Sequence, residues 1–201
     1  MASTTISPKD VSELRMRTGA GMMDCKRALE ESGGDMEKAS EILRKKGIAK
    51  AEKRAGKVAS QGVVVSYLHH NGQVGSLVEL NCETDFVART EDFQQLARDI
   101  ALHVASADPI AVNPEDVPAE LLERERRIAE EQVAQEGKPE NIRGKIVDGK
   151  LKKFVAERTL TEQPFVRDDK KTVGQLMKEA SGKLGEVISV RRFARFKIGE
   201  V

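Results

Sequence analysis

The chain has 201 residues, with 34 Lys and Arg against 33 Asp and Glu, for a formal net charge of +1. Its balanced charge and periodic apolar residues exclude wholesale disorder and argue against nucleic-acid binding as a property of the whole chain. The longest apolar runs, such as Val63-Val64-Val65 and Ile100-Ala101-Leu102, are far shorter than the roughly 18–20 residues a membrane-spanning helix needs, so no membrane association is expected, and the length suits one or two domains.

The first 55 residues read as three short helices. Ser7-Pro8 opens the first, with Ser as N-cap, Pro at N1 and Asp10 near the positive helix end. Val11 and Leu14 form its stripe and Gly19-Ala20-Gly21 breaks it. The second runs from about Met22 to Glu31 with Met22, Cys25 and Leu29 on one face, and Gly33-Gly34 ends it. Asp35 caps the third, with Met36, Ala39 and Leu43 on one face and Gly47 expected as its stop. Residues 48–58 are Ala/Lys-rich and read as a polar linking helix.

At Gly62 the period changes from 3.6 to 2. Val63–His69 and Val74–Cys82 are predicted strands, and Asn71-Gly72 between them signals a hairpin in which both residues take positive φ. Helix resumes after Thr84, and Glu91–Ser106 carries Phe93, Leu96, Ile100 and Val104 as its stripe. Pro109, Pro114 and Pro118 punctuate a loop. Residues 119–136 and 140–158, joined at Gly137-Lys138-Pro139, read as a charged helical hairpin. Leu121, Leu122, Ile128, Val133, Ile142, Ile146, Leu151 and Phe154 supply its narrow stripes. A short helix is predicted around Val173–Leu184. Val187–Ile198 is the last strand, with Ile188, Val190, Ala194, Phe196 and Ile198 on one face and Ser189, Arg191, Arg195 and Lys197 on the wet one.

Little here is catalytic. Cys25 and Cys82 are too few for a disulfide framework, and MASTTISPKD has no hydrophobic signal region, so a cytoplasmic protein is expected. His69 and His70, adjacent on a strand, point to opposite faces and cannot share a metal. Cys82 and His103 add no zinc-like spacing, no Gly-rich phosphate loop follows a strand, and no Ser/His/Asp arrangement stands out. No enzyme, metal or cofactor is expected. The run Arg44, Lys45, Lys46, Lys50, Lys53, Arg54, Lys57 is either a solvated face or an RNA contact.

Two features point to a partner. Met22 and Met23 are about 100° apart on a helix, so at least one lies at the surface, where flexible thioethers make adaptable contacts. In Cys82-Glu83-Thr84-Asp85-Phe86-Val87 a strand ends, Thr84 caps a new helix, and Phe86 sits on its first turn beside a carboxylate. By residue type alone Phe86 is either core or a projecting group.

Val11 to Ala28, VSELRMRTGAGMMDCKRA, resembles the N-terminal signature of the bacterial elongation factor Ts family, and Glu79 to Ala88, ELNCETDFVA, is similar to its second. Gly137-Lys138-Pro139 and Leu160–Phe165 resemble later landmarks in the same order, so the resemblance covers 8–198. It implies an α+β fold: an N-terminal three-helix, ubiquitin-associated-like domain (residues 1–55), then a core dimerisation domain (56–201) with a three-stranded antiparallel sheet, helices and a protruding helical hairpin at about 115–158. It implies a guanine-nucleotide exchange factor, not an enzyme, for the GTPase elongation factor Tu in its GDP-bound and nucleotide-free states. The positions matching the family's GTPase contacts are Arg15, Met22 and Met23 on the helices, and Thr84, Asp85, Phe86 and Val87 in the TDFV hallmark. In the family that phenylalanine wedges between two GTPase helices near the magnesium.

Long family members carry two core subdomains; this chain has strands for one, like the short members. An uncovered apolar sheet face then implies a homodimer, with Val187–Ile198 and Phe193 as the candidate contact. The alternative is an RNA- or ribosome-associated module using the 44–57 face.

Overall fold

Ser7 opens the first helix, α1 (Pro8–Thr18), with a complete capping box: its hydroxyl accepts the Asp10 N–H at 3.1 Å and the Asp10 carboxylate accepts the Ser7 N–H at 3.3 Å. The computed structural model describes residues 6–54, 56–137 and 139–200. Residues 1–5, Ala55 at the expected domain boundary and Lys138 in the expected hinge lie outside the described residues. The chain divides into two compact units: Met1–Gly62 with Asn81–Gln94 and Met177–Ser189, and Val63–Leu80 with Gln95–Leu176 and Val190–Val201.

In the first unit α1, α2 (Met22–Glu31) and α3 (Met36–Arg54) share a core of Val11, Leu14, Cys25, Ala28, Leu29, Ala39 and Leu43, flanked by Ile6, Ala20, Met36 and Ile42. Asp35 caps α3 by accepting the Glu37 and Lys38 N–H groups, each at 3.0 Å. Gly47 does not stop this helix: α3 runs through it to Arg54, absorbing part of the expected linking helix. Gly47 lies against the backbone of Gly182 on α8 (Val173–Leu184), where it is the missing Cβ of Gly182 that permits the approach. A mid-helix glycine costs about 1 kcal/mol in propensity, which close helix approach offsets at Gly182.

The sheet is antiparallel with order β1-β2-β5, formed by β1 (Gln61–Leu68), β2 (Val74–Cys82) and β5 (Ser189–Lys197). The chain is thus an α+β protein. The β1–β2 turn differs from the expected Asn-Gly form. Only Gly72 takes positive φ, +68°. The Gly72 N–H reaches the His69 carbonyl at 2.8 Å, and the Asn71 side chain accepts the Gln73 N–H at 3.0 Å. Asn71 thus acts through its amide, as Asx turns do, and a longer loop follows. Because β1 ends at Leu68, His69 and His70 are in this turn with ring centroids 4.2 Å apart, not on opposite faces of a strand.

In the second unit Ser76, Val78 and Leu80 of β2 are buried, while Leu77 between them is 46% exposed. The predicted stripe of α5 (Glu91–Ala107) is buried: Phe93, which belongs to the first unit, and Leu96, Ile100 and Val104, which belong to the second. The Ser76 hydroxyl ties β2 to α5 by donating to the Ala101 carbonyl at 2.6 Å. Helices α4 (Asp85–Ala88), α6 (Ala119–Gln135) and α7 (Glu140–Arg158) complete the expected set; α6 and α7 meet along Ala129, Val133 and Val147 with Ile146 and Leu151. Ile128 and Ile142, expected in that seam, are exposed. A small antiparallel pair, β3 (Pro164–Phe165) with β4 (Asp168–Thr172), has no counterpart in the sequence reading. Its second strand, DDKKT, carries no apolar alternation.

The β5 faces are not as expected. Ile188 and Val190 are buried, but Ala194, Phe196 and Ile198 are exposed. Arg191 and Arg192 are exposed in succession, after which Phe193 and Arg195 turn inward. Arg195 is accepted inside because its guanidinium donates to the Ala105 carbonyl at 3.1 Å and pairs with Asp108 at 3.2 Å.

Candidate functional site

Strand β2 ends at Cys82, and the two residues after it lead into α4, a helix of only four residues. Thr84 is the N-cap, its hydroxyl oxygen accepting the Val87 N–H at 3.4 Å. Asp85 lies in the first turn, where the helix dipole favours a carboxylate, and pairs with Arg89 at 2.9 Å. Phe86 is next and is 80% exposed, so of the two readings open to it by residue type, the core one is excluded. Val87 is half-buried, and Ala88 is the buried residue of the turn.

Two carboxylates brace this turn. Glu186, between α8 and β5, accepts the Glu83 N–H at 3.1 Å and the Thr84 N–H at 3.0 Å through one oxygen, and the Thr84 hydroxyl at 2.6 Å through the other. Glu83 reciprocates by accepting the Val187 N–H at 2.9 Å. It also takes a two-pronged contact from Arg54 of α3, with both carboxylate oxygens 2.9 Å from Nη2, and a 3.4 Å contact from Lys57. The Val187 N–H, then Arg54 and Lys57, hold the Glu83 carboxyl below the usual carboxylate range. Burial, with the Glu186 and Asp85 charges, pushes the Cys82 thiol up, so it is a poor nucleophile.

On the helices, Met22 and Met23 are both exposed, 47% and 64%, at the start of α2 after the Gly21 N-cap. Neither fills the core beside Cys25 and Leu29, as Met22 was expected to. Arg15 is exposed on α1, and Met16 beside it is 80% exposed. The helical residues and the Thr84–Val87 turn belong to the same compact unit. What sequence reasoning missed is the bracing: Glu186 lies about a hundred residues along the chain from Thr84 and carries no local signal, and Met16 was hidden in a charged helix. Among the described residues no group of three or more His, Cys, Asp or Glu side chains is arranged to hold a metal ion, and no helix is long and apolar enough to cross a membrane.

Six cations of the basic run, on α3 and just beyond it, are paired with acids within the same unit. Arg44 faces Glu179, Lys45 Glu41, Lys46 Glu31, Lys50 Asp24, and Arg54 and Lys57 share Glu83.

Residues 26–200 match the family described as elongation factor TS. An elongation factor Ts of Carboxydothermus hydrogenoformans is 56% identical over 97% of this chain and 90% of its own length. That of Thermosipho melanesiensis is 56% identical over 97% of this chain and 100% of its own length, and that of Desulfosudis oleivorans 54% identical over 98% and 99%. The chain belongs to the elongation factor Ts family.

Proposed function

We propose that this member of the elongation factor Ts family is a guanine-nucleotide exchange factor for elongation factor Tu, releasing GDP during translation elongation. The observation that carries the reading is Phe86: a large aromatic left 80% exposed on a turn braced from both sides. A rigid aromatic loses little entropy on entering an apolar slot, and burying it contributes roughly 2–3 kcal/mol. That energy is available to displace the GTPase elements that hold magnesium and phosphate, after which GDP leaves faster. Asp85 adds negative charge beside the wedge, and Thr84 and Val87 set its base. Arg15, Met22 and Met23 form a second contact that holds the factor on the GTPase whatever its nucleotide state, so residues 1–55 act as the docking part.

No bond is made or broken in this mechanism, so the factor is not an enzyme. Factor and GDP couple negatively through one GTPase, each lowering the other's affinity by the same factor. The chain needs only to bind the nucleotide-poor state better than the GDP state.

A homodimer is part of the reading. Leu68, Leu77, Phe196 and Ile198 are exposed and border one shallow concavity over Gly75, on the side of the sheet away from Val78 and Leu80. Two copies related by a two-fold axis would cover both faces at once. The RNA-binding alternative is not advanced, because most cations of the 44–57 run already face carboxylates of this chain, and phosphate binding rests on unneutralised ones.

The deciding experiment is release of labelled GDP from elongation factor Tu with the parental chain, without it, and with Phe86→Ala. Parental acceleration that the folded variant lacks supports the wedge; equal acceleration by both removes it.

A further inference from the structure

We infer that Glu186 is a positioning residue for nucleotide exchange, acting through Phe86; the inference rests on the wedge reading above. The problem it solves is local. Helix α4 has four residues, and a single turn fixes its dihedrals at a loss that propagation does not recover. Its backbone ladder amounts to the Ala88 N–H on the Thr84 carbonyl at 3.3 Å and the Arg89 N–H on that of Asp85 at 3.2 Å. Phe86 itself, exposed to solvent, contributes nothing to holding the turn in place.

The direction of Phe86 therefore depends on what holds the two residues before Asp85. There the Glu186 carboxylate gathers three donors, two backbone N–H groups and the Thr84 hydroxyl. Because that hydroxyl spends its hydrogen on Glu186, its oxygen lone pairs remain to cap Val87. Glu186 thus fixes the cap's rotamer and the strand exit together. The loop bearing Glu186 is itself held, since the buried Ser181 of α8 donates its hydroxyl to the Glu186 carbonyl. Glu83 returns the brace onto Val187. Charge-assisted bonds of this kind are about twice as strong as neutral ones and directional. A wedge profits from such pre-organisation because ordering it on the partner would consume binding energy.

The test is a double-variant cycle in the GDP-release assay, titrating the full chain against elongation factor Tu loaded with labelled GDP. Glu186→Gln keeps size and one acceptor oxygen but replaces the other with an NH2 donor, so the two backbone N–H groups and the Thr84 hydroxyl can no longer all donate to it. The expected result is a maximal release rate lowered about tenfold with the half-saturating concentration within about twofold of parental. Phe86→Ala/Glu186→Gln should be no slower than Phe86→Ala alone, because Glu186 acts only through that ring. A purely structural role predicts additive losses and a shifted half-saturation, and that result overturns the inference. A slow Phe86→Ala beside a parental Glu186→Gln also overturns it while leaving the wedge standing. A Phe86→Ala of parental rate removes the wedge and the inference with it. Should Glu186→Gln not fold, Thr84→Val, which removes the hydroxyl's bond to Glu186 together with the cap on Val87 that this bond orients and leaves the two backbone N–H bonds to Glu186 in place, is expected to lower the same maximal rate severalfold; a parental rate there counts against the inference.

Discussion

Gly47 and Gly182 meet backbone to backbone: a Cβ on Gly182 would stand 2.7 Å from the Cα, carbonyl carbon and carbonyl oxygen of Gly47. The converse is asymmetric, since a Cβ on Gly47 would lie 3.6 Å from the Gly182 Cα, an ordinary contact. Gly182→Ala should therefore destabilise by about 1–3 kcal/mol through overpacking. Gly47→Ala should be neutral or stabilising by up to about 1 kcal/mol, because an interior helix glycine is replaced without a clash. Thermal melts of the two variants check this; equal losses would mean that the helices part as readily for either methyl.

That contact also marks where the sequence stops being legible. The stripes of α1 and α5, the capping box at Ser7, the helical hairpin and the TDFV turn are local patterns of period 3.6 or of cap chemistry, and the chain carries them openly. Gly47 read as a helix stop because a glycine inside a helix and one at a C-cap look the same until the further course of the helix is known. The β5 faces depart from the expected alternation beyond Val190, where Arg191 and Arg192 are exposed in succession and apolar Phe196 and Ile198 sit outside while Arg195 goes in. Of the candidate site, the exposed residues were nameable from motif resemblance. The Glu186 and Arg54 supports join segments distant in sequence, which no window along the chain can relate.

The buried His103 predicts an acid-sensitive stability. Gln163 uses its amide hydrogens on the Ala107 and Glu157 carbonyls, at 3.1 and 2.8 Å, so its Oε1 accepts from His103 Nε2 at 3.0 Å. His103 Nδ1 is then bare and accepts the Val166 N–H at 3.2 Å. Burial depresses the His103 pKa below its ordinary 6.5, against a smaller opposing effect of Gln163. The folded chain thus binds fewer protons than the unfolded one just below that value. The stabilisation is full above 6.5 and falls as pH drops through the interval down to the folded value. Asp24, Asp35, Glu83 and Glu200 have lowered pKa values and contribute only below their ordinary 3.8 or 4.5. Melting temperature followed between about pH 7.5 and 5 should fall in the parent and fall less in His103→Gln. Parallel slopes would assign the loss elsewhere.

Thr159 is fully buried, and its hydroxyl has no hydrogen-bond partner among the described residues. Desolvating an unpaired hydroxyl costs about 1–3 kcal/mol, and Val has the same shape without it. Thr159→Val should therefore raise the melting temperature by about 2–4 °C. A fall would show that the hydroxyl is bonded in solution.

The exposed sheet face gives a test of assembly that leaves the core untouched. Phe196 is 71% exposed and Leu68 70%, so a charge at either site disturbs little within one chain. On a dimer interface the same charge is buried without a partner, at several kcal/mol. The parent is expected to sediment as a dimer at micromolar concentration, and Phe196→Glu as a monomer with unchanged circular dichroism. A monomeric parent excludes the dimer outright.

The docking and wedging roles separate in kinetics. A contact made equally with the GDP-bound and the nucleotide-free GTPase changes how much factor is needed, not how fast GDP leaves once it is bound. Met23, exposed at the start of α2, is assigned to the first role, and Phe86, exposed on α4, to the second. Met23→Lys places a hydrated charge where the proposed contact has an apolar thioether. It should raise the half-saturating concentration about tenfold, equivalent to about 1.4 kcal/mol, with the maximal GDP-release rate near parental. Its melting temperature should not move, since the side chain stands clear of the Cys25, Ala28 and Leu29 core. Leu29→Ala is the control that must melt lower, by about 2–5 kcal/mol of lost packing. If Met23→Lys lowers the maximal rate at unchanged half-saturation, the α2 methionines act in the exchange step itself and the division of labour between the helices and the Phe86 turn is wrong.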